Sequence, residues 1–347
     1  MTLLEFDDIV FSLQRFGGIT EYWRQMTTRI EAMPSFSVRR SSGTRLGRMR
    51  RLSSACEIFH SSYYRTARGP TVRNVTTVHD LAYELGFVDS GVRAALHLVE
   101  HRRAFFASDA LICVSSNTRD DLLQVYPALA ARCEIAVIPH GVSLPEAKSV
   151  TPPSIMVGTP YILFVGGRGA YKNFFNALAA FSASGLAHSG FRLLCTGKEF
   201  SREEVSRISG LGLAGCVVSA GTIDQATLAA LYAQAHCLLY PSLFEGFGMP
   251  LLEAMGLGCP VVASDTSAIP EIAGDAALLV DGKDPDAIAA ALLQLRDPAL
   301  RERLVAKGRH RASLYTWERS ASEHARVYAS LAGERLVYPA PISAPPL

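Results

Sequence analysis

The sequence lacks any stretch that could cross a membrane or direct export. It contains no run of about 18 uninterrupted apolar residues, the length that a spanning helix needs. Its first residues, MTLLEFDDIV, show no basic segment followed by an apolar one, so no signal peptide is expected. Charged residues make up only 19% of the chain and apolar residues 49%, which is typical of a core-rich globular protein. We expect a soluble cytoplasmic protein.

Paired cysteines are also missing. The seven cysteines are scattered, odd in number and never arranged as Cys-x-x-Cys. This pattern argues against a disulfide framework or a structural zinc site and favours reduced, mostly buried thiols. No cluster of histidines and carboxylates has the spacing of metal ligands either. We therefore expect neither a metal nor another cofactor.

A strong overall charge is absent, because the formal net charge is +2. Nothing global therefore points to a nucleic-acid partner. The basic character is local instead: Val38–Arg51, VRRSSGTRLGRMRR, holds six arginines and no acid. One interpretation is a solvated loop. The other is a surface for an anionic partner, such as a membrane leaflet or a lipid diphosphate, which would give peripheral membrane contact.

Short apolar runs alternate with amphipathic stretches along the whole chain, a pattern typical of parallel sheets covered by helices. The strand candidates are NVTTVHDL, DALICVSS, EIAVIPHG, YILFVGG, FRLLCTG, CVVSAG, HCLLYPS, PVVAS and AALLVD. The fold class predicted is α/β, with two doubly wound, Rossmann-like domains facing a central cleft. Ligands of such sheets bind outside the carboxyl ends of the strands.

The Pro-, Ser- and Gly-rich stretch VSLPEAKSVTPPSIMVGTP separates the two series of strands. We therefore predict a first domain over residues 1–143, a linker over 144–160 and a second domain over 161–316. Residues 317–347 comprise a final amphipathic helix, expected to return to the first domain, and a tail.

Two motifs are misleading. GLGLAG at residues 210–215 has the spacing of a dinucleotide fingerprint, but a helix precedes it and a strand follows, the reverse of the required order. It is expected to end a helix. Asp284-Pro285-Asp286 resembles a metal clamp, yet it directly precedes a regular helix, where Asp and Pro are favoured capping residues.

The stretch PSLFEGFGMPLLEAMGLGCPVVAS carries Glu245 and Glu253 within apolar sequence. Its glycines and Pro250 exclude one continuous helix between the two acids. A loop bearing Glu245 is expected instead, followed by a helix that begins at Pro250 and carries Glu253 in its first turn. Free N–H groups around Leu251 and Leu252 would form an anion site. Alternatively, Glu253 only complements the helix dipole and Glu245 is solvated.

The pattern FEGFGMPLLEAMGLGCPVVASDTSAIPEIAGDAALLVDGKDPDAIAAAL resembles the E-x7-E signature of family-4 retaining glycosyltransferases, which have the GT-B fold. Bacterial mannosyltransferases that build O-antigen or other cell-surface polysaccharides are similar. The resemblance implies that the first domain binds the acceptor. It implies that Glu245 contacts donor-sugar hydroxyls and Glu253 contacts the ribose. Further donor-binding residues implied in this motif are Gly246, Phe247, Gly248, Leu251 and Leu252.

Three other segments are similar to parts of the same family. FVGGRGAYKNF implies that Arg168 and Lys172 bind the donor diphosphate, although their spacing of four is tighter than usual. FSLQRFGGITEYW implies a Gly17-Gly18 loop that approaches a phosphate. VTTVHDL places His79 where the family has a histidine that faces the sugar. A basic loop, a tight turn and a structural histidine are the respective alternatives.

The reaction implied is metal-independent transfer, with retention, of a hexosyl group from a nucleoside-diphosphate sugar to a saccharide acceptor, lipid-linked in our expectation. Mannose from GDP-mannose is the first choice of donor, and a UDP-sugar the next. The alternatives are a sugar phosphorylase or epimerase of the same fold, or a non-catalytic subunit that binds nucleotide-sugars, because a fold alone does not decide a function.

Overall fold

The computed structural model describes residues 1–14, 17–44, 47, 50–88, 91–144 and 158–333. They fall into two compact units. The first contains Met1–Gly141 together with the segment that begins at Tyr315, and the second contains Val142–Leu314. Most of the predicted linker and the whole tail after residue 333 lie outside the described residues.

The first unit is built on a parallel sheet. Its elements, in chain order, are β1 (Thr2–Asp7), α1 (Val10–Leu13), α2 (Gly18–Glu31), β2 (Phe36–Ser41), β3 (Leu52–Ser53), β4 (Ile58–Ser61), β5 (Ala67–Arg68), β6 (Arg73–Val78), α3 (Val92–Ala107), β7 (Ala110–Cys113), α4 (Ser116–Val125) and β8 (Glu134–Val137). Among the described residues, six parallel strands form the sheet in the order β2-β1-β4-β6-β7-β8. The short strands β3 and β5 pair separately.

The second unit repeats this architecture. Its elements are β9 (Tyr161–Phe164), α5 (Phe174–Ala183), β10 (Arg192–Thr196), α6 (Arg202–Gly210), β11 (Val217–Gly221), α7 (Gln225–Gln234), β12 (Cys237–Tyr240), α8 (Met249–Gly256), β13 (Val261–Ser264), α9 (Ile269–Ala273), β14 (Leu278–Val280), α10 (Pro285–Gln294) and α11 (Pro298–Ser313). In the described part of the chain, its six strands are parallel in the order β11-β10-β9-β12-β13-β14.

The central strands are apolar because helices cover both faces of each sheet. Every residue of β7, β9, β12 and β13 is buried. Such strands read as continuous apolar runs rather than as alternating ones. The predicted α/β class with two Rossmann-like domains is confirmed.

The last helix, α12 (Trp317–Ala332), packs on the first unit against α2 and β4. Its buried face includes Trp317, His324 and Tyr328. Gly141 allows the start of the helix to approach, because a Cβ there would lie 2.3 Å from the backbone nitrogen of Trp317. No helix in the described ranges has the length and apolar character that crossing a membrane requires.

The arginine-rich stretch Val38–Arg51 begins as a strand. Val38 to Ser41 belong to the edge strand β2, so they do not form the loop of the first interpretation, although Arg39 and Arg40 are exposed. Arg40 is neutralised by Asp8 and Glu31, with nitrogen–oxygen distances of 2.7 Å to each. Residues 45–46 and 48–49 lie outside the described chain. An acid-free sequence segment thus finds part of its counter-charge in tertiary contacts.

Both misleading motifs have the structural roles that were predicted. The Asp284 side chain accepts hydrogen bonds from the N–H groups of Asp286 and Ala287 at the start of α10. Helix α6 ends at Gly210, and β11 follows from Val217.

Candidate functional site

The loop between β12 and α8 carries Glu245, as predicted. Gly248 closes this loop with a φ of 98°, and α8 begins at the next residue. A Cβ at Gly248 would also lie 3.0 Å from the Leu251 side chain. The left-handed backbone and the close contact both favour glycine at this position. Gly246 and Phe247, which lie between Glu245 and Gly248, are buried.

Three details of the predicted helix start are corrected. Helix α8 begins at Met249, so Pro250 is its second residue and Glu253 lies beyond its first turn. The Leu251 N–H donates to the Gly248 carbonyl at 3.0 Å, so it is not one of two outward-pointing amides. The left-handed Gly248 starts the helix one residue early, and the tight turn that follows uses the Leu251 amide.

The structure brings Lys172 and Glu245 together, although 73 positions separate them in sequence. The Lys172 Nζ lies 2.6 Å from Glu245 Oε1, and the two side chains are 20% and 11% exposed. The same Nζ lies 5.2 Å and 5.6 Å from the ring centroids of Tyr171 and Tyr240. A pair this sheltered is less screened by water and salt than a surface pair.

Ser267 and Asn173, which no sequence motif indicated, hydrogen-bond to the backbone of this loop. Ser267 has a φ of 59°, its hydroxyl accepts the Glu245 N–H at 2.9 Å, and it donates back to the Glu245 carbonyl. Asn173, with a φ of 60°, donates from Nδ2 to the carbonyls of Pro241 at 3.0 Å and Gly282 at 2.6 Å. Positive φ at a non-glycine residue is uncommon, and no sequence pattern pointed to it.

Each glutamate lies beside a buried tyrosine. The Tyr232 hydroxyl donates to Glu253 Oε2 at 3.1 Å. Burial first, and then the charge of Glu253, raise the pKa of Tyr232 well above its usual value. Burial and the charge of Glu245 do the same to the pKa of Tyr240. Both phenols therefore stay protonated, and the acids are compatible with apolar surroundings because polar partners accompany them.

Arg168 lies inside the second unit rather than in an open loop. Its side chain is 6% exposed, and its Nε donates to Glu204 Oε1 at 2.8 Å. Its guanidinium also donates to the carbonyls of Thr196, Lys198 and Glu199. Its Cζ lies 5.6 Å and 4.8 Å from the ring centroids of Phe174 and Phe200. Arg168 thus holds the segment after β10, and its role as a diphosphate ligand stays a prediction.

Glu204 is the acidic partner of the buried Arg168 side chain. It also accepts the Ser201 N–H at 2.7 Å in the capping box that begins α6. Burial alone would raise the pKa of Glu204, but the hydrogen bonds from Arg168 and Ser201 lower it below the usual value. The carboxylate therefore stays ionised and links helix α6 to the segment that Arg168 holds.

Replacing Arg168 by glutamine is expected to lower the free energy of unfolding by about 3 kcal/mol, because it leaves a largely buried carboxylate without its cation. Differential scanning calorimetry of the full chain measures the loss. Arg202→Gln, an exposed change on helix α6, which carries Glu204, is the matched control. Equal melting curves for the two variants would contradict the structural role.

In the first unit, His79 follows β6 at the carboxyl edge of the sheet. Its ring lies 5.1 Å from that of Tyr22 and 5.6 Å from that of His140, between centroids. Burial, and to a lesser extent the charge of His324, lower the pKa of His79 to about 3. At neutral pH it is therefore a neutral hydrogen-bonding group and not a cation.

Beneath His79 runs a directed chain of hydrogen bonds. His324 Nδ1 faces the Ser320 carbonyl at 2.7 Å, so this nitrogen carries the proton and Nε2 accepts from Tyr22, also at 2.7 Å. Tyr22 must then accept from Thr77 at 2.8 Å, and Thr77 from His60 Nε2 at 2.9 Å. His60 Nδ1 accepts from Tyr328 at 2.6 Å. The chain ties α12 to α2, β4 and β6.

Gly17 and Gly18 lie at the start of α2. Gly17 is the residue before the helix, with a φ of 144°, and Gly18 is its first helical residue. Arg15 and Phe16, which precede them, are outside the described residues. The geometry is that of a glycine-rich helix start, which is compatible with an anion site and with a plain turn.

The second unit thus places an ammonium group, from the loop after β9, beside a carboxylate from the loop between β12 and the start of helix α8. Such a set can donate to a phosphate and accept from a hydroxyl. Within the described residues, no three His, Cys, Asp or Glu side chains form a group that could hold a metal ion.

Two family models match the chain. Residues 18–145 match the model described as Glycosyltransferase Family 4, and residues 149–311 match the model described as Glycosyl transferases group 1. Over 112 residues, or 32% of its length, the chain is 43% identical to the O-antigen chain mannosyltransferase B of Escherichia coli. Over 248 residues, or 70% of its length, it is 30% identical to an MMP alpha-(1->4)-mannosyltransferase of Mycolicibacterium hassiacum.

These matches cover 29% and 57% of the two relatives, so the chain spans less than two thirds of the curated proteins that it matches. Among solved structures, a sucrose-phosphate synthase from Thermosynechococcus elongatus superposes with a TM-score of 0.74. This match covers 96% of the chain and 100% of that protein at 19% identity, which is evidence for the fold alone.

Proposed function

Because the chain belongs to the family-4 glycosyltransferases and has the two-domain GT-B fold, we propose that it transfers a hexosyl group from a nucleoside-diphosphate sugar to a saccharide acceptor. The observation that carries this proposal is the Lys172–Glu245 pair beside the start of α8. An ammonium group for the diphosphate and a carboxylate for the sugar hydroxyls are the chemistry that such a donor requires.

In the proposed reaction, negative charge develops on the leaving diphosphate. Lys172 and the N-terminal end of α8 stabilise that charge, which is why no metal ion is invoked. Glu245 accepts a hydrogen bond from the transferred sugar and fixes its orientation. His79, neutral because of its burial, is proposed to hydrogen-bond a sugar hydroxyl.

Retention at the anomeric carbon is proposed to follow a same-face displacement, in which the leaving phosphate takes the proton of the acceptor hydroxyl. This route needs no carboxylate nucleophile, unlike the common retaining hydrolases. Glu253 is proposed to bind the ribose, in exchange for its bond from Tyr232.

Mannose is the proposed sugar, with GDP-mannose as the first donor and UDP-hexoses as the second. The two mannosyltransferase relatives support this choice. The proposed acceptor is a saccharide, carried on a lipid during the synthesis of cell-surface polysaccharide, and the proposed location is the cytoplasm or the inner face of its membrane. The O-antigen enzyme among the relatives supports this context.

A panel of GDP-, UDP- and ADP-sugars tests the proposal. We expect one donor to raise the melting temperature and to be slowly hydrolysed, because water can replace the missing acceptor. Release of the nucleoside diphosphate is the readout. A melting shift with no release at any donor would instead support a non-catalytic binding subunit, and release of a sugar phosphate in the presence of inorganic phosphate would support a phosphorylase.

A further inference from the structure

The surface of the first unit has an open pocket of about 590 Å³ that is lined by Arg50, Arg51, Arg68 and Arg103. We call it the arginine pocket. Among the residues that the structure describes, no acidic side chain lines it. The four residues come from three parts of the chain: the segment before β3, strand β5 and helix α3. Their convergence is therefore a product of the fold and not of one basic stretch of sequence.

Backbone contacts fix the walls of the arginine pocket. Strands β3 and β5 pair in parallel, with Ser53 opposite Arg68. The Ser54 N–H donates to the Arg68 carbonyl at 3.0 Å. Gly69 makes this approach possible, because a Cβ there would lie 2.3 Å from the Ser54 carbonyl oxygen. The strand that carries Arg68 is thus held beside the segment that carries Arg50 and Arg51.

The arginine pocket lies away from the candidate site of the same unit. Arg68 shortly precedes Arg73, where β6 begins, and Arg103 lies in the last turns of α3, which leads into the start of β7. These positions are at the amino ends of the strands. His79 follows the carboxyl end of β6, at the opposite edge of the sheet. A ligand in the pocket is therefore not the group that reacts at His79.

Charge balance distinguishes these four arginines from others in the unit. Arg65 pairs with Asp7 at 2.9 Å, and Arg73 pairs with Asp109 at 3.0 Å. None of the ion pairs between described residues involves a residue of the arginine pocket. Like charges gathered around one cavity repel each other, and the repulsion is relieved when an anion enters.

Guanidinium groups fit phosphate oxygens in a planar, two-bond geometry that ammonium groups cannot match. Four of them around about 590 Å³ provide enough donors for two adjacent phosphates. We propose that the arginine pocket binds a compact anion with two neighbouring phosphate charges, a diphosphate group. The same chemistry is presented by a free diphosphate ester and by phosphate headgroups at a lipid surface. This inference goes beyond the proposed transfer reaction.

Calorimetric titration with inorganic diphosphate tests the pocket, in a Lys172→Ala background that removes the proposed donor site. We expect saturable binding that Arg68→Gln and Arg103→Gln each weaken about tenfold or more, since each removes charge-assisted hydrogen bonds. Arg73→Gln is the matched control, because it removes the same charge near the same edge without lining the cavity. Equal affinity in all three variants would overturn the proposal.

Sedimentation with vesicles separates the two sources of phosphate. Binding of inorganic diphosphate without binding to vesicles assigns a soluble ligand. Binding to vesicles of phosphatidylcholine mixed with phosphatidylglycerol, but not to phosphatidylcholine alone, assigns a lipid surface if Arg68→Gln and Arg103→Gln abolish it and Arg73→Gln does not. Absence of binding in both assays would refute the proposal.

Both readouts measure binding and not turnover. A chain that releases no nucleoside diphosphate from any donor can still bind diphosphate at the arginine pocket, so failure of the proposed function leaves this inference intact.

Discussion

Lys172→Ala is expected to slow the release of nucleoside diphosphate by about 10²–10³-fold, the usual loss when one positioned donor to a developing anion is removed. Lys172 is the cation that the structure places in the Lys172–Glu245 pair, at 20% exposure and within 6 Å of the ring centroids of Tyr171 and Tyr240. A partly buried ammonium group is poorly solvated by water, so its interaction with the leaving diphosphate is strong. Steady-state rates with the best donor of the panel measure the effect.

Glu245→Gln is expected to reduce the same rate, and Lys172→Ala combined with Glu245→Gln to be far less damaging than the product of the two single effects. Residues that act as one unit are not additive in this way. The control is Lys307→Ala, which breaks an exposed pair with Asp275 in the same unit. Turnover close to that of the parent chain in either single variant would contradict the site, and additive losses would contradict the coupling.

The largest expected effect on stability is the unfolding of the first unit by acid between about pH 6.5 and pH 4. Burial lowers the pKa of His324 to about 4, and lowers the pKa values of His60 and His140 well below the usual value. Below pH 6.5 these histidines bind protons in the unfolded chain but stay neutral in the folded one. The free energy of unfolding therefore falls as the pH falls. His324 alone accounts for about 3 kcal/mol by pH 4.

Asp7 acts in the opposite direction. Burial, only partly offset by the charge of Arg65, raises its pKa to about 6, so protonation of this carboxyl favours the folded state below that pH. The stabilising effect of this one carboxyl is opposed by the destabilising effects of His60, His140 and His324. The net effect of acid is therefore destabilising.

Tryptophan fluorescence isolates this transition, because both tryptophans of the chain, Trp23 and Trp317, are buried in the first unit. Urea unfolding followed at several pH values gives the slope of the free energy of unfolding against pH. His324→Gln is expected to flatten the slope, since its side chain does not titrate. His310→Gln, at an exposed position of the second unit, should leave it unchanged. Identical slopes in the two variants would show that the buried histidine does not drive the effect.

Most strands from residue 74 onward could be predicted from the sequence, because the pattern that marks them lies within each short segment. Fully buried parallel strands such as β9, β12 and β13 read as short apolar runs between turn residues. The elements before residue 74 were not assigned, among them β1, β2, β4 and α2. In the edge strand β2, Arg40 pairs with Asp8 and Glu31, which lie outside the strand, so the basic sequence of β2 does not look like a strand.

For the candidate site, Glu245, Glu253 and Lys172 were identifiable because their motifs are contiguous. Ser267 and Asn173 were not, since their roles depend on a backbone conformation that only the surrounding loops impose. Arg168 was identified by its motif, but its contacts with Glu204 and the carbonyls after β10 could not be foreseen.

By itself, the sequence determined the α/β class, the family and the residues that carry acid and base groups in the glutamate motif. These features depend on periodicity, glycine and proline positions, and short-range spacing. Only the tertiary structure decided which charges meet: Lys172 with Glu245, Arg168 with Glu204, and four arginines around one cavity. Electrostatic interaction depends on distance and burial, and neither quantity is contained in separations along the chain.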